Sequence, residues 1–348
     1  MKEKAKRIVG GLLALVCVVI FAACGNLGAE EVAHYDLTSL GIRVLSNKGN
    51  VYYIGQGGAM ENHSKFTESL TKYLENVKQV VSSEVWIDNK NDLYIGGFDF
   101  TNSTSLDEPK KIGSNIVMAH GDSRGLLAVD KDGHLYVYGE EKYNGFDKAF
   151  KELTKIEDIK DVVKVSSLGD ATTVFLTLTK DGTVYRKAKN EEFTKLMDNV
   201  KDIQGSYIID KQNVVYYWSG KDTVKMAPKL QIALQNNIEN TVFVENNTIS
   251  YYSWKGEKYE DTPDIQALYN HYPKDIKQVL FIEFPRDVND DRIVNLKLVY
   301  VNTKNEIVLY GVNNVFKEEG TVDVNTKVTR SLDDVSKIWE FIRLPKKN

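Results

Sequence analysis

Apolar and polar residues alternate in short runs along most of this chain, and the runs break at Gly, Asn or Asp-Gly. The clearest example is Val129 to Gly139, V-D-K-D-G-H-L-Y-V-Y-G. Period-two alternation on both sides of Lys131-Asp132-Gly133 predicts two strands joined by a tight hairpin. The pattern recurs. With the Gly or Asn that ends each turn as position zero, the anchors are Gly49, Asn91, Gly133, Gly182, Asn213, Asn247 and Asn305. These are the two residue types that best accept a left-handed backbone. Four residues before the anchor stand Leu45, Ile87, Val129, Leu178, Ile209, Phe243 and Val301. Two after it stand Val51, Leu93, Leu135, Val184, Val215, Ile249 and Ile307. The residue six after the anchor is small in every unit: Gly55, Gly97, Gly139, Ala188, Ser219, Ser253 and Gly311. Self-similarity of this kind marks a repeat architecture.

An opening strand precedes most hairpins, as (Asn/Asp)-(Val/Ile)-x-x-(Val/Ile). It appears at Asn76–Val80, Asp161–Val165, Asn199–Ile203, Asp275–Val279 and Asp334–Ile338, with a looser copy at Ile116–Ala119. An opener, a two-stranded hairpin and an outer segment make four short strands per unit, the composition of a propeller blade. Anchor spacings of 42, 42, 49, 31, 34 and 58 residues suit blades of that size. The expected fold is an all-β, seven-bladed β-propeller of four-stranded blades over residues 36–348, with a few short inserted helices. Apolar spacing predicts one helix over Ser64 to Val77 and another over Gly145 to Leu153. Thr262-Pro263-Asp264 predicts the start of a third. The first hairpin has no clear opener and the last opener has no hairpin. The ring is therefore expected to close through a C-terminal strand, Asp334 to Ile342, paired with the first blade.

The N-terminus reads differently. Lys2, Lys4, Lys6 and Arg7 precede the apolar run Ile8–Ala22, which ends in Phe21-Ala22-Ala23-Cys24. A run of 15 residues is short for a membrane span and fits a signal-peptide core. The ending resembles the lipobox of bacterial lipoproteins, with Phe21 where Leu is usual. The expectation is a signal peptide over 1–23, acylation (palmitate-type) of Cys24, a polar tether over 24–35, and an address on the extracytoplasmic face of the cell membrane. The formal charge of −4 becomes −7, because four Lys/Arg and one Glu leave with residues 1–23. A net acidic body is a poor nucleic-acid binder, and the only membrane contact expected is through the lipid. Cys17 leaves with the signal, so no disulfide or cysteine-based metal site remains. A monomer is expected.

The stretch from Ile116 to Phe146, IVMAHGDSRGLLAVDKDGHLYVYGEEKYNGF, resembles the regulator of chromosome condensation repeat. Thr177–Tyr185, T-L-T-K-D-G-T-V-Y, is similar to it as well. The resemblance extends over residues 40–345, strongest in the third and fourth units. It implies a seven-bladed propeller. The family's Gly-Gln-Leu-Gly segment is absent, and only Tyr143-Asn144-Gly145-Phe146 is similar to it. The nuclear exchange activity of the founding member does not suit an exported lipoprotein. Secreted bacterial relatives that clasp a target on the propeller face leave an inhibitor or sensor role open.

Candidate chemistry is sparse. His34, His63, His120, His134 and His271 lack metal-ligand spacing. His120, Asp122 and Ser123 are too local for a catalytic triad. Asp287-Val288-Asn289-Asp290-Asp291 has Arg292 and Leu298 where a calcium loop needs Gly and Glu. No phosphate loop or dinucleotide fingerprint appears. No metal or cofactor is expected. Aromatic residues on hairpin strands and on the long connection after the sixth anchor are the remaining signal for ligand contact. They are Trp218, Tyr252, Trp254, Tyr259, Tyr269, His271 and Tyr272; inter-blade packing is the competing role. The expected function is non-catalytic binding or scaffolding of a protein or cell-envelope ligand. The alternatives are a protein inhibitor or sensor, and a glycan-active propeller enzyme with converging carboxylates.

Overall fold

The structure, a computed structural model, describes residues 28–37, 40–56, 66–167, 174–220, 222–228, 231–235, 241–252, 258, 269–283, 296–313 and 321–343. Its sheets follow the repeat units in order. Unit 1 comprises Val32–Leu37, Gly41–Ser46, Val51–Gln56 and Phe66–Leu74, and unit 2 Val77–Val80, Val85–Asp88, Leu93–Ile95 and Lys110–Gly113. Unit 3 comprises Ile116–Asp122, Gly125–Asp130, Leu135–Gly139 and Phe150–Ile156, and unit 4 Val162–Ser167, Val174–Thr179, Val184–Ala188 and Thr194–Met197. Unit 5 comprises Val200–Gln204, Tyr207–Asp210, Val214–Trp218 and Thr223–Pro228. Unit 6 comprises Gln231–Gln235, Thr241–Glu245 and Thr248–Tyr252, and unit 7 Ile276–Glu283, Leu296–Asn302, Ile307–Asn313 and Thr321–Val328. Every pairing within these sheets is antiparallel between consecutive strands. This is a β-propeller. The expectation of seven four-stranded blades is corrected: six sheets have four strands, and unit 6 has three among the described residues.

The turns show why the repeat exists. All seven anchors have positive φ, from 62° to 92°. In unit 3 the amide of Gly133 donates to the carbonyl of Asp130 at 3.1 Å, closing the turn. Asp130 Oδ1 accepts the amides of Asp132 and His134, both at 2.9 Å. Asp88, Asp210 and Asn302 do the same in units 2, 5 and 7. The anchor carbonyl then accepts the first amide of the next opener: Val77 to Gly49, Ile116 to Asn91, Val162 to Gly133 and Val200 to Gly182, at 2.8–2.9 Å. The turn that ends one hairpin thus starts the next blade.

A β-bulge sits at the same place in the opener of six units, skipping Ala33, Lys78, Val117, Val163, Lys201 and Lys277. Where the skipped residue is Lys, the anchor of that unit is Asn, and the ammonium donates to its side-chain oxygen. The pairs are Lys78–Asn91, Lys201–Asn213 and Lys277–Asn305. In the units that skip Ala33, Val117 and Val163 the anchor is Gly, whereas unit 6, whose bulge skips Ala233 one position further along, keeps an Asn anchor, Asn247.

Among the described residues, seven apolar clusters lie between neighbouring sheets. Each joins two consecutive units, as Leu176, Leu178 and Val184 of unit 4 do with Ile203, Ile208 and Trp218 of unit 5. The seventh joins unit 7 to unit 1 through Val299, Val301, Ile307, Ile42, Val44 and Ile54. The ring is therefore closed. First strands touch one another between units 3 and 4, 4 and 5, 6 and 7, and 7 and 1, which places them nearest the axis.

Closure is not by a C-terminal strand. Leu332–Ile342 is a helix, α1, and its buried residues Val335, Ile338, Trp339 and Ile342 pack into the cluster between units 7 and 1. Spacing of 3, 4 and 7 residues is helical. Ser331 accepts the Asp334 amide, and Asp333 and Asp334 lie in the first turn, so the N-terminus is well capped. The first strand of unit 1 is Val32–Leu37, which begins inside the expected tether over 24–35. Its amide at Val32 donates to the Arg330 carbonyl at 2.7 Å, tying the two ends of the fold.

Two expected helices are also strands. Phe66–Leu74 pairs with Val51–Gln56, and Phe150–Ile156 pairs with Leu135–Gly139. In each case the free edge of the third strand needs backbone partners, and that requirement outweighs a helical apolar spacing. Thr262 to Leu268 lies outside the described residues; Tyr269–His271 form one helical turn. No helix among the described residues is long and apolar enough to cross a membrane.

Candidate functional site

The polar residues nearest the axis are engaged across unit boundaries. His120 Nε2 and Ser167 Oγ lie 2.8 Å apart, joining the first strands of units 3 and 4. Burial pushes the His120 pKa down to about 4, with Lys164 adding to the effect. Lys164 Nζ sits 2.6 Å from Asp202 Oδ1, joining units 4 and 5. Asp202 also accepts from the Ile203 amide at 2.9 Å and Gln204 Nε2 at 3.0 Å. Ser123 donates to Glu84, joining units 2 and 3. Asp122 pairs with Arg124. The three residues His120, Asp122 and Ser123 therefore face three different partners and form no triad. A cavity of about 250 Å³ lies between units 1 and 2, lined by His34, Asp36, Arg43 and Val80 among others. His34 is open to solvent there yet crowded by protein, and burial lowers its pKa.

A longer groove separates units 3 and 4 on the outside of the ring. Two adjoining cavities, of about 600 and 520 Å³, share Asp158. Phe146, Phe150 and Phe193 form an edge-to-face cluster with centroid separations of 5.5 and 6.4 Å. Lys187, 7% exposed, lies beneath it. Its ammonium donates to the carbonyls of Gly145 at 3.2 Å, Ala188 at 2.9 Å and Glu191 at 2.6 Å, and sits 4.4 Å from the Phe146 ring centroid. Burial lowers its pKa, opposed by Glu192, Asp147 and Asp158. All three donors are used, so Lys187 fastens the turn of unit 3 to unit 4. Asp99 plays a similar part between units 2 and 3. It is 2% exposed and accepts from Thr101, Asn102, Lys110 and Tyr138, bonds that hold its carboxyl far below the usual range.

The aromatic residues singled out for ligand contact are dispersed. Trp218 is 1% exposed in the core between units 4 and 5. Tyr252 is buried against Phe243, and its hydroxyl donates to Glu245 at 3.2 Å. Tyr269 and Tyr272 are brought together around Tyr251: the Tyr269 hydroxyl accepts the Tyr251 amide at 3.2 Å, and the Tyr272 and Tyr251 hydroxyls bond. The His271 carbonyl accepts from Tyr310 at 2.7 Å. Trp218, Tyr252 and Tyr272 are thus all buried in the packing between neighbouring units. Trp254, Tyr259, His63 and the acidic stretch 287–291 lie outside the described residues, as does Cys24. Asp130, Asp132 and His134 are drawn within 4.8 Å by their turn, with His134 Nδ1 on Asp130 at 2.9 Å. The groove between units 3 and 4 has a faint sequence signal, the 49-residue spacing from Gly133 to Gly182 that takes in Phe146 and Phe150; nothing in the short link that holds Phe193 points to it.

No protein-family model and no curated protein matches the chain. Solved structures similar to it share low identity with the chain. Human WBSCR16 is 15% identical with a TM-score of 0.36, over 62% of this chain and 59% of that one. PorZ, a surface component of the type-IX secretion system of Porphyromonas gingivalis, is 11% identical with a TM-score of 0.46, over 86% of this chain and 38% of that one. Prp20p of Saccharomyces cerevisiae, described with its binding to Gsp1p and histones, is 14% identical with a TM-score of 0.44, over 86% of this chain and 77% of that one. The chain thus spans less than two thirds of the length of the first two.

Proposed function

We propose that this chain is a lipid-anchored, non-catalytic binding or scaffold protein of the cell surface, built on a propeller whose units follow the regulator of chromosome condensation pattern. Acylation at Cys24 and the extracytoplasmic address rest on the lipobox-like ending. The observation that supports binding over catalysis is the state of the buried polar groups. Lys187, Lys164 with Asp202, His120 with Ser167, and Asp99 are each engaged in holding one unit to the next. They stiffen a frame. Recognition then falls to its surface, where the Phe-floored groove between units 3 and 4 offers shape and mixed charge for a protein or envelope ligand. The test is cross-linked capture from surface extract by the full-length protein, beside a Phe193→Ala variant. A saturable partner whose capture falls at least fivefold in the variant supports the reading. Turnover of glycan or peptide substrates by the purified protein overturns it.

A further inference from the structure

The described chain begins against one end of the ring. Glu30 accepts from Ser46 Oγ at 2.5 Å and from Asn50 Nδ2 at 2.7 Å. The Glu31 amide donates to Asn47 Oδ1 at 3.1 Å, and the Asn47 amide donates back to the Glu31 carbonyl at 2.8 Å. Ser46 to Asn50 is the first hairpin turn, so the N-terminal segment is clamped to the end of the ring that carries the anchors. The opposite end carries the links between first and second strands and between third and fourth strands.

Cys24 and Glu30 are six residue steps apart along the chain. Fully extended, they span at most roughly 20 Å at about 3.3–3.6 Å per residue. Strands of six residues add roughly 20 Å more from the anchor end to the far end. We infer that the anchor-turn end of the propeller docks against the lipid bilayer, leaving the opposite end of the ring, with the Phe146 half of the groove between units 3 and 4, as the part that partners can reach. This rests on the lipid anchor at Cys24 proposed above. The short tether is the orienting force, and charge adds to it: exposed Lys48, Lys90, Lys131, Lys180, Lys211 and Lys304 lie on the turn tips, with exposed Asp132 and Asp181 offsetting two of them.

The prediction can be read with single introduced cysteines, each carrying a fluorophore, in the lipidated full-length protein on vesicles. The vesicles contain phosphatidylglycerol and a headgroup-nitroxide lipid as quencher. Lys131→Cys and Lys211→Cys lie on anchor turns. Glu141→Cys lies at the far end, and Glu152→Cys on the outer strand of unit 3. Quenching at 131 and 211 should exceed that at 141 at least threefold, with 152 between, and 0.5 M salt should leave the order unchanged. Equal quenching at all sites, or strongest quenching at 141 or 152, overturns the orientation. A control separates this from failure of the anchor: if the Cys24→Ser protein floats with vesicles as well as wild type, lipidation is wrong whatever the quenching order.

Discussion

Gly133 shows how much one residue of the repeat carries. Its φ is 82°, and a Cβ there would lie 3.0 Å from the Asp161 Cα in the next unit's opener. Gly133→Val should cost about 1–3 kcal/mol in denaturant unfolding, from strain and this contact together. At Lys187 the cost has another origin. Lys187→Met keeps the stem but strips one buried and two partly buried carbonyls of their donor, and should cost about 2–3 kcal/mol. His120 adds a pH dependence. Its ordinary pKa is 6.5 and its folded value about 4. Between those values the unfolded chain binds a proton that the folded chain does not. Stability therefore rises with pH across this range and is lost as pH falls from 6.5 towards 4. The loss should be about 2 kcal/mol from this residue. His34 has the same sign. His120→Gln retains a donor for Ser167 and cannot titrate, so its stability should fall less over that interval, as measured by urea midpoints at pH 6.5 and 4.5.

At the scale of elements, α1 replaces the expected closing strand and does the same work by different means. A strand would have supplied backbone partners to unit 1. The chain instead uses Val32–Leu37 for that and inserts apolar side chains of α1 between the first and last units. Trp339, 3% exposed, meets Phe66 at 6.2 Å between ring centroids. Trp339→Ala should cost about 3–5 kcal/mol, and Ser331→Ala about 1 kcal/mol through loss of the cap. Removing residues 331–348 should abolish the cooperative transition of the whole ring and cause aggregation. A truncated protein that stays monomeric and unfolds in one sharp step would show that the ring closes without α1.

For the whole molecule, the closed ring explains why polar groups that look chemical are structural. Each lies where two sheets must keep a fixed angle, and each makes its bonds across that boundary. The same closure brings residue 30 beside Asn50 and Val32 beside Arg330. It also sets the end of the ring from which an anchored chain would emerge. Cys24→Ser should move the protein from the membrane fraction to the soluble fraction and abolish fatty-acid labelling; retention of both signals would remove the anchor from the account.

Local conformational demands were legible in the residues. Positive φ restricts a turn to Gly or Asn, so seven anchors could be placed one by one, and alternation around them located the hairpins and five of the openers. The pairing of Asn anchors with bulged Lys, and of Gly anchors with Ala or Val, was present in the same residues but acquires meaning only when the bulge brings the two side chains together. The outer segments were not legible. Residues 66–74 and 145–153 have helical apolar spacing, yet the open edge of a third strand draws them into the sheet as strands or turns. The opener-like Asp334–Ile338 carries helical spacing and a cap as well, and the space left between units 7 and 1 decides in favour of the helix. The site was least legible of all. Tyr and Trp look alike in sequence whether they face solvent or a neighbouring blade, and burial between sheets is a property of the closed ring. The groove beneath Phe146, Phe150 and Phe193 exists only because units 3 and 4 stand side by side, with Lys187 fastening one to the other.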